Sequence, residues 1–358
     1  MRPMASATID TSALRHNLSL VRARAQGSRV MAVVKANAYG HGLVPVARAL
    51  AEADAFAVAR VEEGVALRRA GIAQPIVVLE GVFDADQRDA AAEFRFDLVV
   101  HSAEQIDLLR GAAPASFKVW LKIDTGMNRL GFEAGDAAAA RAALGALDAV
   151  RGPVHSFTHL ASADEPGSTA TAAQLARFEA ATRGLPGERS IANSAALLNV
   201  PAARADWVRP GLLLYGASPM RGAVGADHGL RPAMTLRSQV IAVKQIAPGA
   251  RVGYGGAWTA RRATTLAIAA IGYGDGYPRS VGTDAAVRLR GRRLPLAGRV
   301  SMDMLAIDAT DLEPVVRVGE PVVLWGPGLP VEVVAATAGA IPYELLCGIS
   351  QRVAVEGG

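Results

Sequence analysis

The chain contains a single cysteine, Cys347, in 358 residues. A lone thiol excludes an intrachain disulfide and suits a reducing compartment, so a cytoplasmic protein is expected. Lysine is nearly as scarce. Lys35, Lys118, Lys122 and Lys244 are the full set, and arginine supplies almost all the positive charge. Each lysine that an Arg-rich chain retains is a candidate for amine chemistry. Long apolar runs are missing as well: hydrophobic residues make up 51% of the chain but are interrupted every few positions by Arg, Asp, Glu or Gly. No window of about 18 apolar residues survives, so no membrane span is expected. The N-terminal stretch MRPMASATIDTSALRHNL lacks an apolar core of signal-peptide length and is expected to begin the folded protein. The net charge of +5 comes from scattered residues, and the densest basic groups, Arg261-Arg262 and Arg288 to Arg293, have no interleaved aromatics. Nucleic acid is therefore not an expected partner. No metal is expected either.

What is present is a length suited to one large domain plus a smaller one. Short β-branched runs alternate with helical patterns up to about residue 215. The runs are VMAVV (30–34), AFAVA (55–59), PIVVL (75–79), DLVV (97–100), FKVWLKI (117–123), PVHSFTH (153–159), RSIAN (189–193) and DWV (206–208). Between most of them lie segments such as VEEGVALRRAG (61–71) and AAQLARFEAATRG (172–184), with apolar residues at helical spacing. Continuous apolar strands alternating with helices imply a parallel sheet covered on both faces. Eight such units predict a (β/α)₈ barrel of the TIM type over residues 1–229, with an open doubly wound sheet as the alternative. Beyond residue 230 the texture changes to strand-like segments separated by Gly/Pro turns, and helical periodicity is nearly absent until 331–339. This predicts a mostly antiparallel β domain over 230–358, with the Gly/Pro-rich stretch 216–229 as linker.

In such a barrel the working residues sit at strand C-terminal ends and in the loops that follow. That filter leaves Lys35 after the first run, Lys122 and Arg129 after the fifth, and His159 after the sixth. It also leaves Asn193 and Ser194 after the seventh, and Arg209 with Gly211 after the eighth. Each also has a purely structural explanation. Lys35 could snorkel from a strand end, His159 could be a satisfied core histidine, and Ser194 could be only a helix N-cap. The Arg209–Gly211 segment fits a simple turn as well as a phosphate-binding loop.

The segments VVKANAYGHG, KIDTGMNRLGF, THLASAD, ANSAA, VRPGLLLYG, VGYGG, IGYGDGYPR and GRVSMDM occur in that order across nearly the whole chain. As an ordered set they resemble the alanine racemase family, which uses pyridoxal 5′-phosphate (PLP) and belongs to fold type III. The resemblance implies a homodimeric enzyme interconverting L- and D-alanine. It makes Lys35 the lysine that attaches PLP as a Schiff base and also transfers a proton on one face of the substrate. Tyr273 becomes the opposed base, reaching into the partner's barrel. A phenol near its reference pKa of about 10 is a poor base at neutral pH, and His159 matches the histidine that assists it. Arg209 matches the arginine that donates to the pyridine nitrogen. A donor-only guanidinium there disfavours a protonated ring and so limits side reactions.

The same resemblance assigns the phosphate to Tyr39, Ser194, Gly211, Leu212 and Tyr343, with Asn193 beside the cofactor. Arg129 is implied to hold the substrate carboxylate, and Lys122 to be the lysine that many members carry as a carbamate. Met302 and Asp303 would line the substrate path from the partner side. Asp164 and Arg299 would complete a narrow access corridor that rejects large side chains. Two positions depart from the family pattern, Ser301 for cysteine and Leu160 for phenylalanine. Neither is a proton-transfer group. An amino-acid decarboxylase would place an acid where Arg209 stands and would lack the IGYGDG tyrosine. A PLP carrier would end with the barrel, and a broad-specificity periplasmic racemase would carry a leader.

Overall fold

The computed structural model describes residues 3–282 and 284–357. The eight apolar runs become eight parallel strands: Arg29–Val33, Ala55–Val58, Ile76–Val78, Asp97–Val100, Val119–Asp124, His155–Phe157, Arg189–Asn193 and Trp207–Arg209. Each pairs with its sequence neighbour. The eighth also pairs with the first, through Trp207 with Arg29 and Val208 with Val30, and this closes the barrel. The open-sheet alternative is thereby excluded. The runs read as unbroken apolar stretches because helices cover their outer face while side chains fill the interior. Trp120, fully buried, packs edge-on to Trp207 at 6.2 Å and against the His155 ring at 4.7 Å. Burying one aromatic of that size is worth roughly 4–6 kcal/mol before its ordering entropy is subtracted.

The second domain is an eight-stranded sheet organised by the long strand Met234–Ile246. A register shift between Val240 and Ala242 bends this strand, so that its first half pairs with Pro321–Trp325 and its second half with Thr264–Ala269. All pairings but one are antiparallel.

That exception changes the expected domain division. Ser6–Ile9, placed with the barrel in the 1–229 assignment, instead pairs antiparallel with Met234–Ile246 and parallel with Ala354–Glu356. The chain therefore starts in the C-terminal sheet and enters the barrel through the helix Thr11–Ala25. Asp10 caps that helix, accepting from the N–H groups of Ser12 (2.8 Å) and Ala13 (3.0 Å). The stretch expected to link the domains is pinned rather than loose. Glu332 Oε1 accepts from the backbone N–H groups of Ser218 and Gly225, both at 2.7 Å. A helix not anticipated from sequence, Pro342–Cys347, lies over the mouth of the barrel, where Tyr343 meets Tyr39 at 5.7 Å between ring centroids.

Candidate active site

Alternate residues of the barrel strands point inward, and those nearest the C-terminal ends line a cavity of about 560 Å³, a size typical of cofactor sites. Lys35, Lys122, His159, Asn193, Arg209 and Gly211 all reach it, as do Tyr39, Arg129, Ser194 and Tyr343 from the following loops and the capping helix. The strand-end rule thus gathers every residue it nominated.

Lys35 opens an unusual turn. Ala36, Asn37, Ala38 and Tyr39 all have φ of 52–53°, a left-handed conformation that costs L residues roughly 1–2 kcal/mol each. Several contacts hold it. Ala38 N–H donates to the Val34 carbonyl at 2.8 Å, Leu43 N–H to Asn37 Oδ1 at 2.9 Å, and Ala36 N–H to Glu63 Oε1 at 2.6 Å. Tyr39 is stacked on Tyr215 at 4.7 Å, and the Tyr215 hydroxyl donates to the Val33 carbonyl at 2.9 Å. Burial pushes the Tyr39 phenol far up, with Tyr343 and Cys347 adding to the effect.

Arg209 is buried without a carboxylate partner among the described residues. It donates to Ser190 Oγ and the Thr158 carbonyl, both at 2.7 Å, and to the Ile191 carbonyl at 3.2 Å. Its guanidinium carbon lies 3.8 Å from the centre of the Phe157 ring. Burial lowers its pKa to about 9, which still leaves it charged at neutral pH. His159 Nδ1 sits 3.4 Å from Arg209 Nη2. Burial, followed by Arg209, Arg129, Lys122 and Lys35, pushes the His159 pKa well down, so the ring is neutral. Lys122 is lowered to about 8, first by burial and then by Arg129, Arg209 and Lys35, with Asp124 opposing.

Arg129 stands on a loop organised by Asp124, whose carboxylate accepts from the N–H groups of Gly126 (2.8 Å), Met127 (3.0 Å), Asn128 (3.1 Å) and Arg129 (3.2 Å). Burial raises the Asp124 pKa, but those four donors together hold it below the usual carboxylate range. Gln174 ties this loop to the next, donating to Thr125 Oγ1 (3.2 Å) and the His159 carbonyl (3.0 Å). Sequence reasoning missed Glu63, Asp124, Gln174 and Ser190. Of these, only Glu63 left a signal, as an acid at the third position of the Val61–Arg69 helix. Ser194 is not the N-cap. Asn193 caps the Ser194–Asn199 helix, while Ser194 Oγ accepts from Gly211 N–H at 2.9 Å.

The remaining nominated residues lie elsewhere. Leu212 is buried in the turn after Gly211. Asp164 and Tyr343 share a neighbouring cavity of about 390 Å³, and burial followed by Asp164 pushes the Tyr343 phenol up to about 12. Tyr273, Arg299, Met302 and Asp303 belong to the C-terminal domain and do not line the barrel cavity. Tyr273 N–H donates to the Ser301 carbonyl (3.1 Å) and Gly274 N–H to that of Met302 (2.9 Å). These two segments of the chain approach so closely that a Cβ on Gly272 would collide with both carbonyls. Asp303 pairs with Arg352 at 2.8 Å. Tyr273 is 41% exposed and Met302 52% exposed, and Met304, on the same segment as Met302, is exposed too.

This cavity suits PLP by its own chemistry. A lysine stands at its wall and a donor-only guanidinium lies on its floor. At Gly211 any side chain would run into Tyr39 Oη, so the backbone is left bare beside the Ser194 hydroxyl. Comparison with known proteins agrees. The alanine racemase N-terminal domain matches residues 9–219 and the alanine racemase C-terminal domain residues 233–356. The chain belongs to the alanine racemase family. It is 53% identical over 359 residues to the alanine racemase of Thioalkalivibrio sulfidiphilus, covering 99% of both chains. It is also 52% identical over 355 residues to that of an Azoarcus species, again covering 99% of both. The biosynthetic alanine racemase of Pseudomonas aeruginosa superposes with a TM-score of 0.95 at 45% identity, covering 100% of both chains. An alanine racemase from Bartonella henselae with covalently bound pyridoxal phosphate gives 0.88 at 30% identity, also covering 100% of both. As a member of this family the chain is a PLP enzyme that interconverts L- and D-alanine.

Proposed function

We propose that racemisation proceeds by two opposed proton transfers at the substrate Cα: one of Lys35 Nζ and Tyr273 Oη removes the proton on its face, and the other returns a proton on the opposite face. Tyr273 is supplied by the second subunit of a homodimer. The observation that carries this reading is the contrast among phenols. Tyr39 and Tyr343 line the chain's own cavity, yet burial pushes both upward, away from use as bases. Tyr273 instead stands outside the cavity, exposed on a segment bonded to the one that carries exposed Met302 and Met304. That apolar strip suits burial against a second copy.

When bound, PLP supplies the electron sink that makes the Cα proton removable. Lys35 anchors the cofactor, and Arg209 donates to its ring nitrogen. Tyr39, Ser194, Tyr343 and the backbone of Gly211 and Leu212 hold its phosphate, with Asn193 alongside. Arg129 holds the substrate carboxylate, and Lys122, as a carbamate, orients Arg129. His159, kept neutral, supports the phenol's proton exchange. Asp164, Arg299, Met302 and Asp303 narrow the access corridor to a methyl side chain. In this division of labour the barrel, entered through the helix Thr11–Ala25, binds the cofactor, and the C-terminal domain, with Ser6–Ile9 in its sheet, equips the neighbouring subunit. Cys347, the only thiol, supports a cytoplasmic role, and supply of D-alanine is the physiological role we propose.

Lys35→Ala should lose the borohydride-reducible attachment of PLP. Tyr273→Phe should keep PLP and lose racemisation. Mixing the two inactive proteins decides the sharing. Heterodimers contain one site with both native residues, so activity should return to about a quarter of wild type. A site contained within one chain would give no recovery.

A further inference from the structure

The opposite end of the barrel holds a larger cavity, of about 740 Å³. This face of a (β/α)₈ barrel ordinarily serves packing rather than binding. Here the inward positions of the second and third strands are small, Ala55 and Val77, and leave space that Trp120 and Trp207 do not fill. The walls combine two kinds of surface. One is apolar, formed by Phe94 with the nearly buried Trp120 and Trp207 behind it, the latter covered by the Arg29 guanidinium. The other is cationic, formed by Arg29, Arg68, Arg95, Lys118 and Arg151.

The carboxylates nearby satisfy only part of that charge. Glu188 pairs with Arg29 and with Lys118 (3.3 Å), and Asp97 takes Arg151 at 3.6 Å. Asp54 is occupied by Val30 N–H (2.8 Å) and Arg22 (3.3 Å), and Glu93 is exposed to solvent. Arg68 binds only carbonyl oxygens, those of Phe94 (3.2 Å), Ile72 and Gln74 (3.1 Å). Arg95 has no ion pair among the described residues. The indole N–H of Trp120, a residue 1% exposed, has no hydrogen-bond partner.

We propose that this basal cavity binds a small organic anion with a flat apolar body, an aryl carboxylate by class, independently of the catalytic site. Arg68 and Arg95, which pair with no carboxylate among the described residues, are donors only, so the ligand must bring acceptors and negative charge. Phe94 and the flat Arg29 guanidinium, which covers the Trp207 ring at 4.2 Å, select a planar body. Neither feature depends on the two-base reading of the upper cavity.

Calorimetric titration of the PLP-loaded enzyme with 2-naphthoate tests this. One site per chain is expected, and saturating alanine should not displace the ligand. Inorganic phosphate and neutral 2-naphthylmethanol each carry half of the required chemistry and should bind at least about tenfold more weakly. Arg95→Glu, at an exposed rim position, should weaken naphthoate by at least about tenfold. Ala73→Trp should block the mouth. Both variants should leave alanine racemisation and the thermal midpoint unchanged. The proposal is overturned if naphthoate fails to saturate at millimolar concentration, if alanine displaces it, if phosphate matches it, or if binding survives either substitution.

Discussion

Glu63 holds the backbone on which Lys35 is mounted: its Oε1 accepts from Ala36 N–H at 2.6 Å, one residue after Lys35. The other oxygen accepts from Ala59 (2.8 Å) and Arg60 (3.3 Å), so one carboxylate ties the first barrel strand's end to the loop after the second. The left-handed turn from Ala36 to Tyr39 persists only if such contacts outweigh its strain. Glu63→Ala leaves three N–H groups without their acceptor and should cost about 1–3 kcal/mol of stability. Spectrophotometric titration should show PLP affinity reduced by about tenfold or more, and Glu63→Gln should recover part of it. Unchanged PLP affinity in Glu63→Ala would separate the turn from cofactor binding.

The carbamate proposed at Lys122 would form from its neutral amine and carbon dioxide. An amine lowered to about 8 is roughly a quarter neutral at pH 7.5 and only about 1% neutral at pH 6. The neutral form is the nucleophile. The product would reverse the charge facing Arg129 and Arg209, two of the cations that lower this lysine. With ¹³C-bicarbonate, a carbamate carbon signal is expected near pH 7.5 and should fade toward pH 6. Its absence in Lys122→Gln would assign it, and its survival there would move the modification elsewhere.

The eight barrel strands were legible because a parallel strand buried on both faces leaves an unbroken apolar signature, as in AFAV and DLVV. Their C-terminal polar residues were legible for the same topological reason. Ser6–Ile9 was not. Four residues directly before a helix cap carry no sign of which distant strand they will join, and here the partners lie more than two hundred residues away. The turn after Lys35 was equally hidden. Of Ala36, Asn37, Ala38 and Tyr39, only asparagine tolerates the left-handed region readily, so local preference contradicts the observed conformation. The role proposed for Tyr273 rests on its motif alone, because an exposed tyrosine in a Gly-rich turn gives no physical hint of a site.

Asp124 should affect substrate binding more than chemistry. Its four backbone bonds shape the loop that presents Arg129, and an asparagine could satisfy only some of them with one oxygen. Asp124→Asn is expected to raise KM for alanine by about tenfold while kcat changes less. A KM left unchanged beside a reduced kcat would show that the loop serves proton transfer instead.

Acid should unfold this protein through histidines that the fold keeps neutral. His41 is fully buried, with Nδ1 at 2.8 Å from the Tyr39 carbonyl and Nε2 without a partner, and burial lowers its pKa to about 4. His155, beneath Trp120, is also lowered to about 4, first by burial and then by Lys118, with Glu188 opposing. Between pH 6.5 and about 4 the unfolded chain binds protons at these sites that the folded chain does not, so stability falls as pH falls. Each site amounts to about 3 kcal/mol across that window. Asp97 acts in the opposite sense. Burial raises it to about 6, with Lys118 and Arg151 opposing, so its protonation between about 6 and 3.8 returns part of the loss. Urea midpoints should therefore drop steeply from pH 6.5 to 4.5. In His41→Gln the slope of stability with pH should be shallower by about one proton. An unchanged slope would mean that His41 already carries its proton in the fold.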